Sequence, residues 1–311
     1  MMLRTLKSIP VLILLFFFML SVLGGGLLLR NGIYLEHLQI AHATFESISL
    51  QWRNKLELQI ERLHIDSASD SAAADESVDL SSVENVIPLM RWVDRFFAKI
   101  SVQEITTGQV KADFLYADST GHLNLSSSYG DLRTNLGLKG SVLDVNIEEF
   151  SNQKFHSRGT GVVHVNLSKQ TAEGSLDADL AGSLPLNISF SADSKQCIFT
   201  GKENGIITNI TPFVDLFGLS QDIQCWITEY LTGTRYQLEE FSGSFPWDNP
   251  LYLLESFTAK VRVEGCHYTF APGLEAIKTA YTDVFFKKGI LTIIPHEFTF
   301  YGQDGENSWL D

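Results

Sequence analysis

The stretch LDVNIEEFSNQKFHSRGTGVVHVNLSKQTAEGSLDADLAGSLPLNISF, residues 143–190, decides the fold class of this chain. Apolar and polar side chains alternate along it, as at Leu143 and Val145 and again at Val163 and Val165. A period of two residues is typical of a strand with one apolar and one polar face. The stretch therefore predicts consecutive, half-buried β-strands.

The same alternation recurs on both sides of this stretch. It begins at Leu56–Ile60, is shifted by one residue at Leu63, and returns near the C-terminus in Phe257–Val263. Turn signals around Gly140, Gly159 and Gly174 separate short strands, which favours an antiparallel meander. We predict a mainly β fold: a long, curled, mostly antiparallel sheet forming a groove, with two or three short amphipathic helices.

Two segments depart from the strand pattern. Residues 82–100 have apolar side chains at helical spacing and basic side chains on another face at Arg91, Arg95 and Lys99. This predicted helix either rests on anionic lipid headgroups or packs on one end of the sheet. A second helical region is predicted near residues 211–232, and the small acidic segment 67–81 is predicted to be a flexible loop.

Residues 1–30 contain a predicted membrane anchor. Ile9–Leu29 is 21 residues without a charge, which is enough helix to cross a hydrocarbon core of about 30 Å. Arg4 and Lys7 precede it and no acidic residue occurs before Glu36, so we expect a cytoplasmic N-terminus and an exported body. A cleaved signal peptide is the alternative. The anchor prediction includes Ile9, Leu12, Leu15, Phe18 and Leu29.

The composition excludes several classes of protein. The chain has 311 residues, a net charge of -14 and 19% charged residues, which is too acidic for nucleic-acid binding and too weakly charged for a disordered chain. Three cysteines are too few for a disulfide scaffold, and the sequence does not show whether two of them pair.

Catalytic signatures are lacking in the sequence. His296-Glu297 has no second histidine at the spacing of a zinc helix. The neighbouring acids Glu148-Glu149 and Glu239-Glu240 are expected to point to opposite faces of their strands, so that neither pair shares one site. We therefore predict a protein that is not an enzyme, with no cofactor and no metal.

A family resemblance is clearest in residues 219–302. LSQDIQCWITEYLTGTRYQLEEFSGSFPW is followed by FTAKVRVEGCHYTFAPGLEAIKTAYTDVFFKKGILTI. The helix with Trp226, the strand ending in Gly243-Ser244-Phe245 and the later unit from Phe257 to Leu291 resemble the YhdP branch of the AsmA-like family of envelope proteins. The N-terminal anchor followed by repeated strands resembles the same family.

The resemblance implies bridge-like lipid transfer in a bacterial envelope. It implies a single-pass inner-membrane protein with a periplasmic body, whose β-groove conducts phospholipid between the inner and outer membrane. It further implies the N-terminal part of a longer protein, with a first strand block over 31–66 and a groove over 101–311 that is incomplete at its C-terminus. The expected partners are phospholipids, the inner membrane and a periplasmic or outer-membrane protein; nucleic acid is not among them.

The groove lining is predicted from the apolar strand rows. A long apolar face with few helices to cover it would be shielded from water if acyl chains filled it. A closed barrel or sandwich fits the same pattern. In another alternative, the protein is a structural or assembly factor that binds a partner through the edge of its sheet. The predicted lining residues are Leu143, Val145, Val163, Val165, Leu186, Ile188, Phe190, Val261 and Val263.

Overall fold

The computed structural model describes residues 28–66, 92–154, 156–211, 221–269, 274–288 and 290–305. The chain divides into two compact units, residues 1–73 with 88–127 (unit 1) and residues 74–87 with 128–311 (unit 2). Both are built mainly of strands with a few short helices, which confirms the predicted fold class at this level.

Several predicted features fall outside the described residues. These are the loop 67–81, the first part of the helix predicted over 82–100, residues 212–220 of the helical region predicted near 211–232, and the anchor residues Ile9, Leu12, Leu15 and Phe18. Leu29 lies in a helical turn at residues 28–31. In the part of the chain that the structure describes, no helix has the length and apolar character needed to span a membrane.

Unit 1 contains six strands. They are β1 (Ile33–Ile40), β2 (Ala43–Trp52), β3 (Leu56–Ile65), β4 (Phe97–Thr107), β5 (Val110–Ala117) and β6 (Thr120–Ser127). Each strand pairs with the next in sequence, and all pairs are antiparallel except β3–β4, which is parallel. A parallel pair needs a long connection between its strands, and the chain between Ile65 and Phe97 is long enough to provide one.

The core of unit 1 lies on one face of these strands. Ile48, Ile60 and Val102 are paired across β2, β3 and β4 and are buried. Leu63 pairs with Ile105 in the same unbroken register, three residues along from the Ile60–Val102 pair, and both side chains pack against the buried residues.

The predicted helix over residues 82–100 is wrong at its C-terminal end. Residues 92–96 are helical, but Phe97 begins β4 and pairs with Leu56. Phe97 is buried, and Lys99 pairs with Glu57 in the parallel ladder. Pairing with β3 therefore overrides a helical spacing that these residues also satisfy.

Unit 2 contains the remaining strands. They are β7 (Gly130–Lys139), β8 (Val142–Asn152), β9 (Ser157–Asn166), β10 (Thr171–Leu180), β11 (Leu184–Ala192), β12 (Gln196–Glu203), β13 (Leu231–Thr232), β14 (Arg235–Pro246), β15 (Thr258–Glu264), β16 (His267–Tyr268), β17 (Ile277–Lys287), β18 (Ile290–Phe300) and β19 (Gln303–Gly305). The pairing is antiparallel throughout, in the order β7-β8-β9-β10-β11-β12-β14-β15-β17-β18-β19. The short strands β13 and β16 pair with each other, and β16 pairs with β17.

Short helical segments interrupt unit 2 at two places. Gln221–Cys225 is helical and continues as a π-helical turn, Trp226–Tyr230, within the region where a helix was predicted. A 3₁₀ turn, Pro250–Tyr252, and a short helix, Leu253–Ser256, connect β14 to β15 and were not predicted.

The glycines used as turn signals have two different roles. Gly140 lies in the β7–β8 turn with a φ of 66°, as predicted. Gly159 and Gly174 lie inside β9 and β10, so the turns predicted there are wrong.

Candidate functional site

The nine predicted lining residues all lie on one face of the unit 2 sheet. Leu143 and Val145 on β8 stand opposite Val165 and Val163 on β9. Directly paired residues of antiparallel strands point to the same side. Val163 in turn faces Gly174, which faces Phe190 on β11.

The same face continues to the C-terminal strands. Ile188 faces Gly201, Gly201 faces Phe241, and Phe241 faces Ala259. Ala259 is on the same side of β15 as Val261 and Val263, because each is two residues further along the strand. We call this surface the apolar face and the opposite side of the unit 2 sheet the polar face.

Burial divides the nine residues into two groups. Leu186 and Val263 are buried in a core cluster that includes Leu184, Tyr236 and Cys266. The other seven, Leu143, Val145, Val163, Val165, Ile188, Phe190 and Val261, are partly exposed. Leu186 and Val263 therefore pack against protein. The remaining seven form the candidate surface, and two of them, Ile188 and Val261, also pack against this cluster.

The N-terminal part of the apolar face is incompletely covered. In strands β7–β10, whose residues are all described, none of the apolar side chains on this face is buried. Isoleucine, leucine and valine side chains in a finished core are usually buried almost completely. These strands thus present a partly exposed apolar surface to whatever lies against them.

Glycines on the apolar face lie beneath large neighbouring side chains. A Cβ added at Gly159 would approach Phe150 to 2.8 Å, and one added at Gly174 would approach Phe190 to 3.0 Å. The aromatic rings lie across the strands and cover the glycine backbone, an arrangement that favours cross-strand packing. This explains why glycine occurs within β9 and β10.

One carboxylate on the apolar face was missed by the sequence analysis. Glu203 stands opposite Leu186, and its Oε2 accepts a hydrogen bond from the backbone N–H of Leu238 at 2.8 Å. Burial raises the pKa of Glu203 above its ordinary value. The alternation Cys197, Phe199, Gly201 would have placed Glu203 on this face.

The polar face carries ordinary hydrogen bonds and ion pairs. His164 Nδ1 lies 2.7 Å from Asp144 Oδ1, and Asn187 donates to Asp177 at 2.8 Å. Lys139 also contacts Asp144, at 2.9 Å. These contacts are typical of strands whose outer side faces water.

A denser charged cluster lies on the polar face between β14 and β18. Arg262 Nε is 2.9 Å from Asp283 and 3.4 Å from Glu239. His296 stacks on Tyr281 with 4.4 Å between ring centroids, and its Nε2 is 3.3 Å from Asp283. Burial would raise the pKa of Asp283, but the hydrogen bond and charge of Arg262 outweigh it and lower the pKa.

The prediction that neighbouring acids point to opposite faces is wrong at both positions. The register shifts between Leu238 and Glu240, and Glu239 contacts Lys260, the residue opposite Glu240. A second shift lies beside Glu148 and Glu149. Because a β-bulge inserts an extra residue, it lets consecutive side chains share one side of a strand.

The acids at the second bulge have separate partners. Asn135 donates to Glu148 at 2.5 Å, and Arg133 lies 3.5 Å from Glu149. Both partners belong to β7. The contacts are those of a hydrogen-bonded sheet surface.

A depression of about 370 Å³ lies between β8 and β12, and most of its lining comes from the polar face. Its side chains include His164, Lys169, Glu173 and Ile198. The depression is distinct from the predicted lining residues, none of which borders it.

The remaining groups with possible chemistry are metal ligands and cysteine thiols. Within the described ranges, no group of three or more His, Cys, Asp or Glu side chains is arranged to hold a metal ion. Cys197, Cys225 and Cys266 are free thiols, and burial raises the pKa of Cys266.

Comparison with protein-family models, curated proteins and solved structures gave no match.

Proposed function

We propose that the apolar face of unit 2 binds the acyl chains of phospholipids. We further propose that the protein conducts phospholipid between the inner and outer membrane of a bacterial envelope. In this proposal residues 9–29 anchor the chain in the inner membrane, with the N-terminus cytoplasmic and the body periplasmic. The observation that supports it best is the partly exposed apolar side of β7–β10.

The energetics suit a ligand made of methylene groups. Removing each CH₂ from water contributes about 0.8 kcal/mol and demands no particular hydrogen-bond geometry. Seven lining residues on one face of the sheet form a surface along which an acyl chain can move without breaking directional contacts. No covalent step is required, so the proposed function is transport.

Neighbouring valines on opposite faces provide a matched test. Val163 belongs to the apolar face, whereas Val162 pairs with Asn146 and Ser175 on the polar face and is 38% exposed. A photo-crosslinking amino acid placed at Val163 in the full chain is expected to capture phospholipid in cells, and one at Val162 is not. Val165 and Ile188 should behave like Val163, with His164 and Asn187 as their polar-face controls.

The same experiment addresses the alternative of a protein-binding assembly factor. Capture of phospholipid only at Val162, His164 and Asn187 would show that the lipid-binding face is misassigned. Capture of a protein in place of lipid at Val163 and Val165 would support the assembly role.

A further inference from the structure

One end of the unit 1 sheet displays large apolar side chains to the exterior. Leu28 is 63% exposed, Trp52 45%, Trp92 51% and Phe96 40%. Exposed aromatic side chains on a folded domain are unusual enough to indicate a contact surface when they cluster.

Strand pairing places these side chains at the same end. Trp52 is the last residue of β2 and faces Leu56, the first residue of β3, which faces Phe97, the first residue of β4. The helical residues 92–96 directly precede Phe97. The start of the described chain joins them, since the Gln51 side chain donates to the Arg30 carbonyl at 3.4 Å.

The short helix is fixed to this end by Asp94. The Asp94 carboxylate accepts hydrogen bonds from the Tyr116 hydroxyl at 2.7 Å and from the Ser119 hydroxyl at 2.6 Å. The Lys55 ammonium donates to the Asp94 backbone carbonyl at 2.5 Å. Trp92 also packs on Phe97, with 5.4 Å between ring centroids. The exposed rings are therefore held in place by contacts to three other segments.

Basic side chains surround the apolar ones. Arg30, Arg53 and Arg95 are exposed at the same end. Two acidic side chains near this end have partners of their own. The Asp94 carboxylate accepts hydrogen bonds from two hydroxyl groups, and the Glu57 carboxylate lies 3.7 Å from Arg53. An apolar and aromatic surface edged with arginine is the composition that suits the interface of an anionic bilayer.

The apolar run at the N-terminal side of unit 1 indicates what this end of the sheet faces. The 21-residue apolar run ends at Leu29, which lies within the helical residues 28–31. If this run is inserted in a bilayer, the residues that follow it must lie at the headgroup layer. The reason is that the four residues 29–32, which lead from its end to β1, span at most about 14 Å. The end of unit 1 reached by this turn would then face the lipid.

We propose that this end of unit 1 seats in the headgroup layer of an anionic phospholipid bilayer. We call it the collar, defined as Leu28, Arg30, Trp52, Arg53, Trp92, Arg95 and Phe96. The proposal rests on the membrane anchor of the proposed function. It adds a second contact with the membrane, which orients unit 1 at the lipid surface.

Tryptophan quenching by brominated lipid tests the collar. The full chain is placed in nanodiscs of phosphatidylcholine and phosphatidylglycerol whose acyl chains carry bromine close to the headgroup. The wild-type protein has five tryptophans, and Trp52 and Trp92 are expected to supply most of the quenched emission. Trp52→Phe/Trp92→Phe should reduce the quenched fraction by roughly half or more.

The matched control is Trp247→Phe in unit 2, where the indole N–H donates to the Asp193 carbonyl at 2.7 Å. This control should leave the quenched fraction unchanged or raise it. An equal quenched fraction in the wild type and in Trp52→Phe/Trp92→Phe overturns the collar. Failure of the chain to co-purify with the discs overturns the anchor and the collar together.

A further pair of measurements separates the collar from the lipid-binding face and tests the arginines. Val163→Asp should lose lipid capture on the apolar face while keeping the wild-type quenching.

In discs of phosphatidylcholine alone, quenching of the wild type should decrease. Arg30→Gln/Arg53→Gln/Arg95→Gln should abolish this dependence on anionic lipid, and a dependence that persists in the triple variant overturns the role of the arginines.

Discussion

Gly243 on β14 shows how the apolar face depends on the smallest side chain. A Cβ at this position would lie 2.7 Å from Phe199 and 2.9 Å from Leu253. Both contacts are with side chains, so an added methyl group would displace the packed ring instead of the backbone. Glycine is therefore required here for packing, even though its φ is not in the left-handed region.

We expect Gly243→Ala to lower the free energy of unfolding by about 1–3 kcal/mol, because overpacking forces side chains from their preferred rotamers. Chemical denaturation of the full chain measures this. Gly137→Ala is the matched control, since a Cβ there has no heavy atom within 4 Å, and it should be neutral or slightly stabilising. Adding Phe199→Leu to Gly243→Ala should restore part of the loss. An unchanged unfolding midpoint for Gly243→Ala would contradict the packing argument.

The short helix at residues 92–96 depends on one buried hydroxyl. Hydrogen bonds from Ser119 and Tyr116 lower the pKa of Asp94. Burial, together with the hydrogen bond to Asp94, raises the pKa of Tyr116 to about 12. The folded state therefore favours neutral Tyr116 next to ionised Asp94.

The pH dependence follows from these two shifts. The contribution of Tyr116 is complete below its ordinary pKa of 10.0 and is lost as the pH rises through about 12. The contribution of Asp94 is present above its ordinary pKa and is lost as the pH falls through the lowered value. An absorbance titration of tyrosinate should show a late step near pH 12 that is missing in Tyr116→Phe.

Tyr129→Phe is the control for this titration, because its ring is 70% exposed. It should keep the late step. If the late step disappears in Tyr129→Phe and persists in Tyr116→Phe, the assignment is wrong.

Secondary structure was predictable where the side-chain period is unambiguous. Strands around Leu143 and Val163 have a clean period of two, and they were placed correctly. Phe97 and Ile100 are three residues apart, which fits a helix, and only pairing with β3, with a register shift between Leu56 and Glu57, makes them strand residues. Bulges at Glu148 and Glu239 could not be seen, since an inserted residue leaves no distinct local signal.

For the molecule as a whole, the partly exposed apolar face predicts stabilisation by lipid. A ligand that binds only the folded state at one hundred times its Kd raises the free energy of unfolding by about 2.7 kcal/mol. A short-chain phosphatidylcholine added to the full chain in a lipid-free amphipol should therefore raise the Tm in calorimetry. Val163→Asp should abolish the increase, and the polar-face control Val162→Asp should keep it. Equal increases in both variants would place the lipid elsewhere.

The candidate site was predictable as a face, and less so as a set of contacts. Alternation alone places Val165 and Ile188 on one side of the sheet, and the register confirms that side. Alternation does not distinguish a side chain that faces open space from one that faces the core, so Leu186 and Val263 were assigned to the lining and are buried.

By itself, the sequence determined the β-rich character, the shared apolar side of the unit 2 strands and the absence of a recognisable catalytic motif, because side-chain period and composition are local properties. Only the tertiary structure decided which apolar residues are covered, where Phe97 leaves the helix and why Gly159 and Gly174 lie within strands. Burial and register depend on neighbours that are distant in sequence. The collar follows the same rule, since Trp52 and Trp92 lie at one end only because β2, β3 and β4 pair as they do.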